Sequence, residues 1–187
     1  MATRRALPAR IATMTGALAC ALGAAAPAWT GEYGGPEVAV KATYLYKLAR
    51  FVDWPPGVYS APTAPLTICV QGLDPFGATL DRATIGRRVG THPVVVRRLA
   101  KLEVDSGCHV AYLAGGPTQS SAQALHAVAG QPVLTVTDEA QGVSVRGIVH
   151  LLHAAGRVRF SIDAIQAEQN GVAISSKLMS LAVVVKR

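Results

Sequence analysis

The sequence predicts a single α/β domain, a three-layer sandwich in which helices cover a mixed, largely parallel sheet with an antiparallel hairpin. Strand-type and helix-type segments alternate along the chain, as they do in α/β folds. The runs at 108–114 and 133–137 are almost wholly apolar, which is typical of strands buried on both faces of a sheet. Two later strand-type runs, 148–152 and 157–162, are separated by a short Gly-containing turn and therefore predict the hairpin.

The N-terminal residues have the pattern of an export signal. A short basic segment without an acid precedes an apolar, Ala-rich stretch, and Ala26-Pro27-Ala28 fits a signal peptidase site. We expect residues 1–28 to be cleaved as a signal peptide and residues 29–187 to form the mature domain. A retained membrane anchor, or a lipid anchor at Cys20, is the alternative. Loss of three arginines lowers the formal net charge from +7 to +4 (7 minus 3).

The first element of the mature chain is predicted as a helix over residues 37–53. Its apolar residues recur at spacings of three and four and form one face, whereas Lys47 and Arg50 lie on the other side. Trp54-Pro55 ends the helix, because proline lacks an amide donor and restricts the residue before it. The apolar face consists of Val38, Ala42, Leu45, Leu48, Ala49 and Val52.

The next helix is predicted to start at Asp74 and Pro75 and to reach about Ala83, with the Asp74 carboxylate as N-cap and the proline at the first helical position. The apolar strand at 108–114 is expected at the centre of the sheet. The other predicted elements are strands at 66–70 and 93–99, helices at 119–129 and 164–169, a C-cap at Asn170-Gly171, and a final helix through Leu178, Leu181 and Ala182 that Ser175 or Ser176 caps.

Cys69 and Cys108 are the cysteines outside the export signal, and each lies in or beside a strand-type run. Two such cysteines in an oxidising compartment predict one disulfide. The bond would close a loop of about 40 residues and stabilise the fold by roughly 4 kcal/mol in the chain-entropy model. It is either a structural bond or a redox-sensitive one. No metal site is predicted, because Cys-x-x-Cys and histidines at ligand spacing are missing from the sequence.

The sequence predicts no catalytic machinery and no cofactor. Ser144 lies in a segment with one residue too many for a nucleophile elbow, and the acidic residues do not form an acid/base pair. The basic clusters are not interleaved with aromatic residues, which argues against nucleic acid. Two alternatives stay open. Gly115-Gly116 and Asp138 lie at predicted strand ends, where α/β folds hold small ligands. Ser144 could belong to a degenerate hydrolase.

The motifs, taken together, resemble the YfiR family, also called the DUF4154 domain. The similar segments follow one another in family order over nearly all of the mature chain. They are residues 41–55 (KATYLYKLARFVDWP), 68–70 (ICV), 74–77 (DPFG), 95–99 (VVRRL), 107–110 (GCHV), 133–136 (VLTV), 157–162 (RVRFSI) and 171–182 (GVAISSKLMSLA).

The resemblance implies a periplasmic regulatory protein and not an enzyme. Proteins of this family bind the periplasmic part of a membrane-bound diguanylate cyclase and hold it inactive, which lowers cyclic di-GMP and restrains biofilm growth. An OmpA-like outer-membrane lipoprotein can sequester the repressor. The resemblance further implies a homodimer.

The resemblance also bears on particular residues. Cys69 and Cys108 match one family disulfide, whereas the second cysteine pair of the best-known members is missing from the region 143–153. A candidate partner surface consists of Phe51, Trp54 and Pro55 at the end of the first helix. The alternative is that Phe51 and Trp54 pack in the core.

Overall fold

The structure is a computed structural model that describes residues 35–143 and 145–187. The predicted signal peptide, Cys20 and Ser144 lie outside the described residues. No helix in the described part of the chain is both long enough and apolar enough to cross a membrane.

Helices and strands alternate along the described residues, with a short 3-10 helix at Glu139–Gln141. The helices are α1 (Pro36–Ala49), α2 (Ala78–Thr84), α3 (Ser121–Ala127), α4 (Ala164–Gln169) and α5 (Ser176–Met179). The strands are β1 (Val52–Asp53), β2 (Leu66–Gly72), β3 (Arg88–Val89), β4 (His92–Leu99), β5 (Val110–Gly115), β6 (Leu134–Asp138), β7 (Val149–Ala154), β8 (Arg157–Asp163), β9 (Ala173–Ile174) and β10 (Val184–Lys186).

The main sheet has eight strands in the order β10-β8-β7-β6-β5-β2-β4-β3. Its inner strands β4, β2, β5, β6 and β7 are parallel, and β10 runs parallel to β8. The β7–β8 hairpin and the β3–β4 pair are antiparallel. This mixed, mostly parallel sheet in a single α/β domain confirms the predicted fold class, and β5 lies at the centre as predicted.

Alternate residues of β5 face two different layers of the domain. Val110 and Tyr112 belong to the larger core cluster, which also holds the buried residues of α1 and α2. Ala111 and Leu113 belong to a second cluster on the other face, together with residues of α3. This alternation follows from the two-residue period of a strand and explains why the β5 sequence is apolar throughout.

The hairpin turn between β7 and β8 is where the sequence predicted it. Ala155 and Gly156 have φ angles of 51° and 70°. Two consecutive residues at positive φ are typical of a two-residue hairpin loop whose twist matches that of the flanking strands.

The first helix is shorter than predicted, and the prediction that it reaches residue 53 is wrong. The helix ends at Ala49, where the Arg50 and Phe51 amides donate to the carbonyls of Lys47 and Leu48 and tighten the last turn. Residues 52–53 then form β1, which pairs with β9. This pairing joins distant parts of the sequence and overrides the local helical pattern. The predicted apolar face of the helix is otherwise confirmed.

Two further predictions need correction. Asp74 does not cap α2, because the helix begins at Ala78 after Gly77. The Asp74 carboxylate instead accepts a hydrogen bond from the Phe76 amide and pairs with Arg98. The last predicted helix is also too long, since α5 ends at Met179 and the chain continues into β10.

Candidate interaction surface

The predicted disulfide is confirmed. It joins Cys69 in β2 to Cys108 just before β5, with the two Cα atoms 5.8 Å apart. Cys69 is fully buried and Cys108 is 8% exposed. Both pack in the core cluster that lies beneath α3, together with Leu102. The bond therefore ties the β4–β5 connection to the strand beside it, inside the core.

Trp54 lies in an aromatic cluster, which we define as Trp54, Tyr59, His92 and His109. The Tyr59 ring is stacked between His92, at a centroid distance of 3.6 Å, and His109, at 4.5 Å. The Trp54 ring meets Tyr59 and His109 edge-on, at 6.4 Å and 6.2 Å. The indole Nε1 atom is buried and has no hydrogen-bond partner among the described residues. The tryptophan thus contributes packing and no hydrogen bond.

The aromatic cluster holds the connection between β1 and β2 against the start of the parallel strands. The His92 ring bonds to the Ala64 carbonyl at 2.6 Å, and the Thr67 amide donates to His109 Nδ1 at 3.1 Å. His109 is therefore a neutral imidazole in this arrangement, because Nδ1 must accept. Burial lowers the pKa of His109, and the neighbouring His92 lowers it further, while the Val58 carbonyl only partly opposes this.

Phe51 has different surroundings, although it is close to Trp54 in the sequence. It lines a groove of about 230 Å³ between α1, β8 and α5, which we call the α1 groove. Tyr44 and Leu48 are four residues apart and therefore line the same side of α1, and Phe51 follows just beyond the helix end. The Tyr44 ring meets Phe160 edge-on at 6.2 Å. The remaining lining residues are Lys47, Arg159, Leu178 and Leu181.

The rim of the α1 groove is basic. Lys47 on α1 and Arg159 on β8 line the groove, Arg157 on β8 lines the depression beside it, and all three side chains are exposed. Across the part of the chain that the structure describes, none of these three forms an ion pair with a carboxylate. A wider depression of about 660 Å³ continues from the groove and shares Tyr44 and Arg159 with it.

The sequence predicted that Asp138 lies at a strand end that could bind a small ligand. In the structure, its carboxylate is hydrogen-bonded to groups of the protein itself. Lys41 Nζ lies 2.9 Å from its Oδ1 and 2.7 Å from its Oδ2, and the Tyr112 hydroxyl donates to Oδ2 at 3.1 Å. The Ala140 amide donates to Oδ1. Burial opposes the charge of Lys41, but hydrogen bonds and charges from Asp138 and Glu37 outweigh it and raise the pKa of Lys41. The pair joins α1 to β6.

Gly115 and Gly116 form a packed turn and not an open anion cradle. The Gly115 amide donates to Gln71 Oε1, and the Gly116 amide donates to the Gln119 carbonyl. A Cβ atom on Gly115 would lie 2.8 Å from Ser121 Oγ, so close packing accounts for the glycine. Within the described ranges, no group of three or more His, Cys, Asp or Glu side chains is arranged to hold a metal ion.

The structure separates the three residues predicted as a partner surface. Phe51 lines the α1 groove, Trp54 belongs to the aromatic cluster, and Pro55 is half-buried beside it. Phe51 and Trp54 both also pack against the main core cluster. Whether any of the three touches a partner stays a prediction.

Sequence reasoning did not find Tyr44, Arg159 or the Lys41–Asp138 pair. Tyr44 could have been found, because it precedes Phe51 by two helical turns. Arg159 lies across the groove from α1, and Lys41 pairs with Asp138. Both arrangements depend on contacts between distant parts of the chain.

The described residues define a small α/β domain held by one disulfide, with an open apolar groove whose rim is basic. Residues 38–183 match the family model described as YfiR/HmsC-like, DUF4154, so the chain belongs to this family. The resemblance seen in the sequence is thereby confirmed. The family is a regulatory one, and a periplasmic role fits it. A comparison with curated proteins gave no match.

Proposed function

We propose that this protein is a periplasmic repressor that binds the periplasmic part of a membrane-bound diguanylate cyclase and holds the enzyme inactive. The observation that carries the proposal is membership of the YfiR/HmsC-like family over residues 38–183. The predicted export signal at residues 1–28 and the Cys69–Cys108 disulfide support an oxidising compartment.

The proposed mechanism is a shift in population. A repressor that binds the inactive cyclase more tightly than the active one draws the enzyme towards the inactive state. To move the cyclase from mostly active to mostly inactive, the difference in affinity must be large, about 10⁴-fold for a shift from 1:99 to 99:1. The α1 groove offers a surface for such binding, since apolar anchors seated in a groove carry most of the energy of a protein interface.

Two partners besides the cyclase belong to the proposal. The protein acts as a homodimer, and an OmpA-like outer-membrane lipoprotein sequesters it to release the cyclase. Any redox control acts through Cys69–Cys108, because this is the one cysteine pair of the mature chain.

Deletion of the gene tests the proposed function. Cellular cyclic di-GMP should rise in the deletion strain, and a second deletion that removes the repressed membrane cyclase should return it to the starting level. Unchanged cyclic di-GMP in the single deletion, together with no binding of the purified protein to any periplasmic cyclase domain of the same cell, would contradict the proposal.

A second candidate function is that of a periplasmic small-ligand sensor. The observation in its favour is an open cavity of about 420 Å³ at the carboxyl ends of β5 and β6, lined by Leu73, Gly115 and Ser121 among others. Ligands of α/β folds bind at such an edge. A thermal-shift screen of metabolites tests it, since a ligand at 100 times its Kd stabilises the fold by about 2.7 kcal/mol.

A further inference from the structure

We infer that the α1 groove binds an acidic amphipathic helix of the partner protein. The inference rests on the proposed function only for the identity of that partner. The inference uses three observations: an apolar floor, a rim of cations without carboxylate partners, and a neighbouring strand edge that is partly occupied by β10 and Tyr44.

The floor of the groove is apolar and concave. Tyr44, Leu48 and Phe51 form one wall along α1, and Phe160, Leu178 and Leu181 form the other. Leu178 is 2% exposed, whereas Leu181 is 54% exposed and stands at the mouth. A groove of about 230 Å³ has room for one large apolar side chain, since a cavity of roughly 150 Å³ already holds benzene.

The rim selects the charge of the occupant. Lys47 stands on one side and Arg159 on the other, with Arg157 farther along β8, and no carboxylate among the described residues neutralises them. Arg98, by contrast, is held by both Asp74 and Asp81. Cations that flank an apolar groove without internal partners are complementary to acids that flank the apolar anchors of a ligand.

The neighbouring strand edge argues for a helix and against an added strand. Pairing of β10 with β8 begins at Ser161, and the Val183 amide donates to the Phe160 carbonyl. Before that point, the Tyr44 hydroxyl lies 3.5 Å from the Val158 carbonyl oxygen, so an added strand would have to displace this side chain. A helix that presents apolar residues at i, i+3 and i+4 needs only the side-chain groove.

The shape of the site favours a protein partner over a membrane surface. Phe51 and Tyr44 are half-buried and line a depression. A membrane-bound face instead presents a row of apolar side chains outward into the headgroup boundary, whereas of the groove's apolar lining residues only Leu181 is exposed. A helix from a partner can reach into the depression, whereas a flat bilayer cannot.

A synthetic peptide pair tests the inference. The first peptide is a fluorescent helix of about 18 residues, long enough to be helical, with leucine at i, i+3, i+4 and i+7 and glutamate on its polar face. The second has lysine in place of each glutamate. Fluorescence anisotropy with the mature protein should give a Kd at least about 10-fold lower for the acidic peptide.

Matched variants locate the binding. Leu181→Asp and Arg159→Glu should each weaken binding of the acidic peptide by about 10-fold or more. Ile85→Asp, which changes an apolar side chain that is 80% exposed, and Arg146→Glu, which changes another exposed arginine, should leave the Kd unchanged. Circular dichroism of every variant verifies that the fold is retained.

The inference fails if both peptides bind equally, or if Leu181→Asp leaves the Kd of the acidic peptide unchanged. It also fails if the protein binds phosphatidylglycerol vesicles through Leu181 and Arg159 but not the acidic peptide, since the groove would then be a membrane site. Groove binding combined with unchanged cyclic di-GMP in the deletion strain supports the inference and contradicts the proposed function. If the groove does not bind the acidic peptide but cyclic di-GMP rises in the deletion strain, the proposed function is supported and the inference is contradicted.

Discussion

Phe51 and Trp54 are close in sequence, yet they lie in two contrasting regions of the molecule. Phe51 lines the α1 groove, which is open and has exposed Leu181 at its mouth. Trp54 belongs to the aromatic cluster, where its ring contacts Tyr59 and His109 and its indole nitrogen is buried. α1 ends at Ala49, before both residues, and the short strand β1 (Val52–Asp53) separates Phe51 from Trp54.

The contrast separates binding from stability. A half-buried residue packed within a cluster of rings contributes to the free energy of unfolding, whereas an exposed residue at the mouth of an open groove contributes little to it and remains accessible to a partner. The two regions should therefore respond oppositely to substitution. Substitutions in the aromatic cluster should lower stability, and substitutions at the mouth of the α1 groove should lower binding.

The largest expected loss of stability comes from the disulfide, which lies outside both regions, in the buried core cluster beneath α3. The double variant Cys69→Ala/Cys108→Ala should lose roughly 4 kcal/mol of unfolding free energy, in the chain-entropy model for a loop of this size. Urea unfolding measures the loss, and wild-type protein in reductant serves as the matched control. A loss below about 1 kcal/mol would show that the disulfide contributes little to the stability of the fold.

Trp54→Ala should cost about 3 kcal/mol, because it opens a cavity within the aromatic cluster. Phe51→Ala should cost less, about 1–2 kcal/mol, since one side of its ring faces the groove. Trp54→Phe is the conservative control and should recover most of the stability, because the indole nitrogen makes no hydrogen bond among the described residues. A stable Trp54→Ala variant that no longer binds the cyclase would reverse the comparison.

The aromatic cluster should also make stability depend on pH. The pKa of His109 is lowered in the folded protein, so the unfolded chain binds the proton more readily. The stability from neutral His109 is present above the unfolded pKa of about 6.5 and is lost as the pH falls below it, with a slope of at most about 1.4 kcal/mol per pH unit for one proton.

Urea unfolding between pH 7.5 and 5 measures this dependence, and His109→Asn, whose amide oxygen can still accept from the Thr67 amide, should flatten it. Buried His150, whose pKa is also lowered, remains in both proteins and cancels in the difference. If the unfolding free energy has the same pH slope in the two proteins, His109 is not the source of the pH dependence.

The smallest stability effects are expected at the open groove. Leu181→Asp and Arg159→Glu should each change the unfolding free energy by no more than about 0.5 kcal/mol, as exposed substitutions usually do. Thermal and urea unfolding beside Ile85→Asp verify this. A loss above about 2 kcal/mol at either position would show that the groove is part of the folded core.

Much of the fold was predictable from local sequence. The apolar period of α1, the wholly apolar β5 and the Gly-containing hairpin turn each identify their element without tertiary information. The features that were missed depend on distant contacts. β1 exists because it pairs with β9, and β10 is a three-residue strand that pairs with β8.

The candidate surface was predictable only in part. Phe51 and Trp54 were grouped because both lie near the end of the predicted first helix, but α1 ends at Ala49 and the two rings lie in different surroundings. The opposite wall of the groove comes from β8 and α5, more than a hundred residues later in the chain. A single sequence carries no signal that β8 and α5 lie across from α1. The two cysteines and the expected compartment, by contrast, were sufficient to predict the disulfide.

Cellular cyclic di-GMP in a deletion strain complemented with Leu181→Asp decides whether the α1 groove is the partner site, with periplasmic protein levels verified by immunoblot. With Leu181→Asp, cyclic di-GMP should stay as high as in the uncomplemented deletion strain, while Ile85→Asp should restore the low wild-type level. Full repression by Leu181→Asp at equal protein level would contradict the claim that the α1 groove is where this regulator binds its partner.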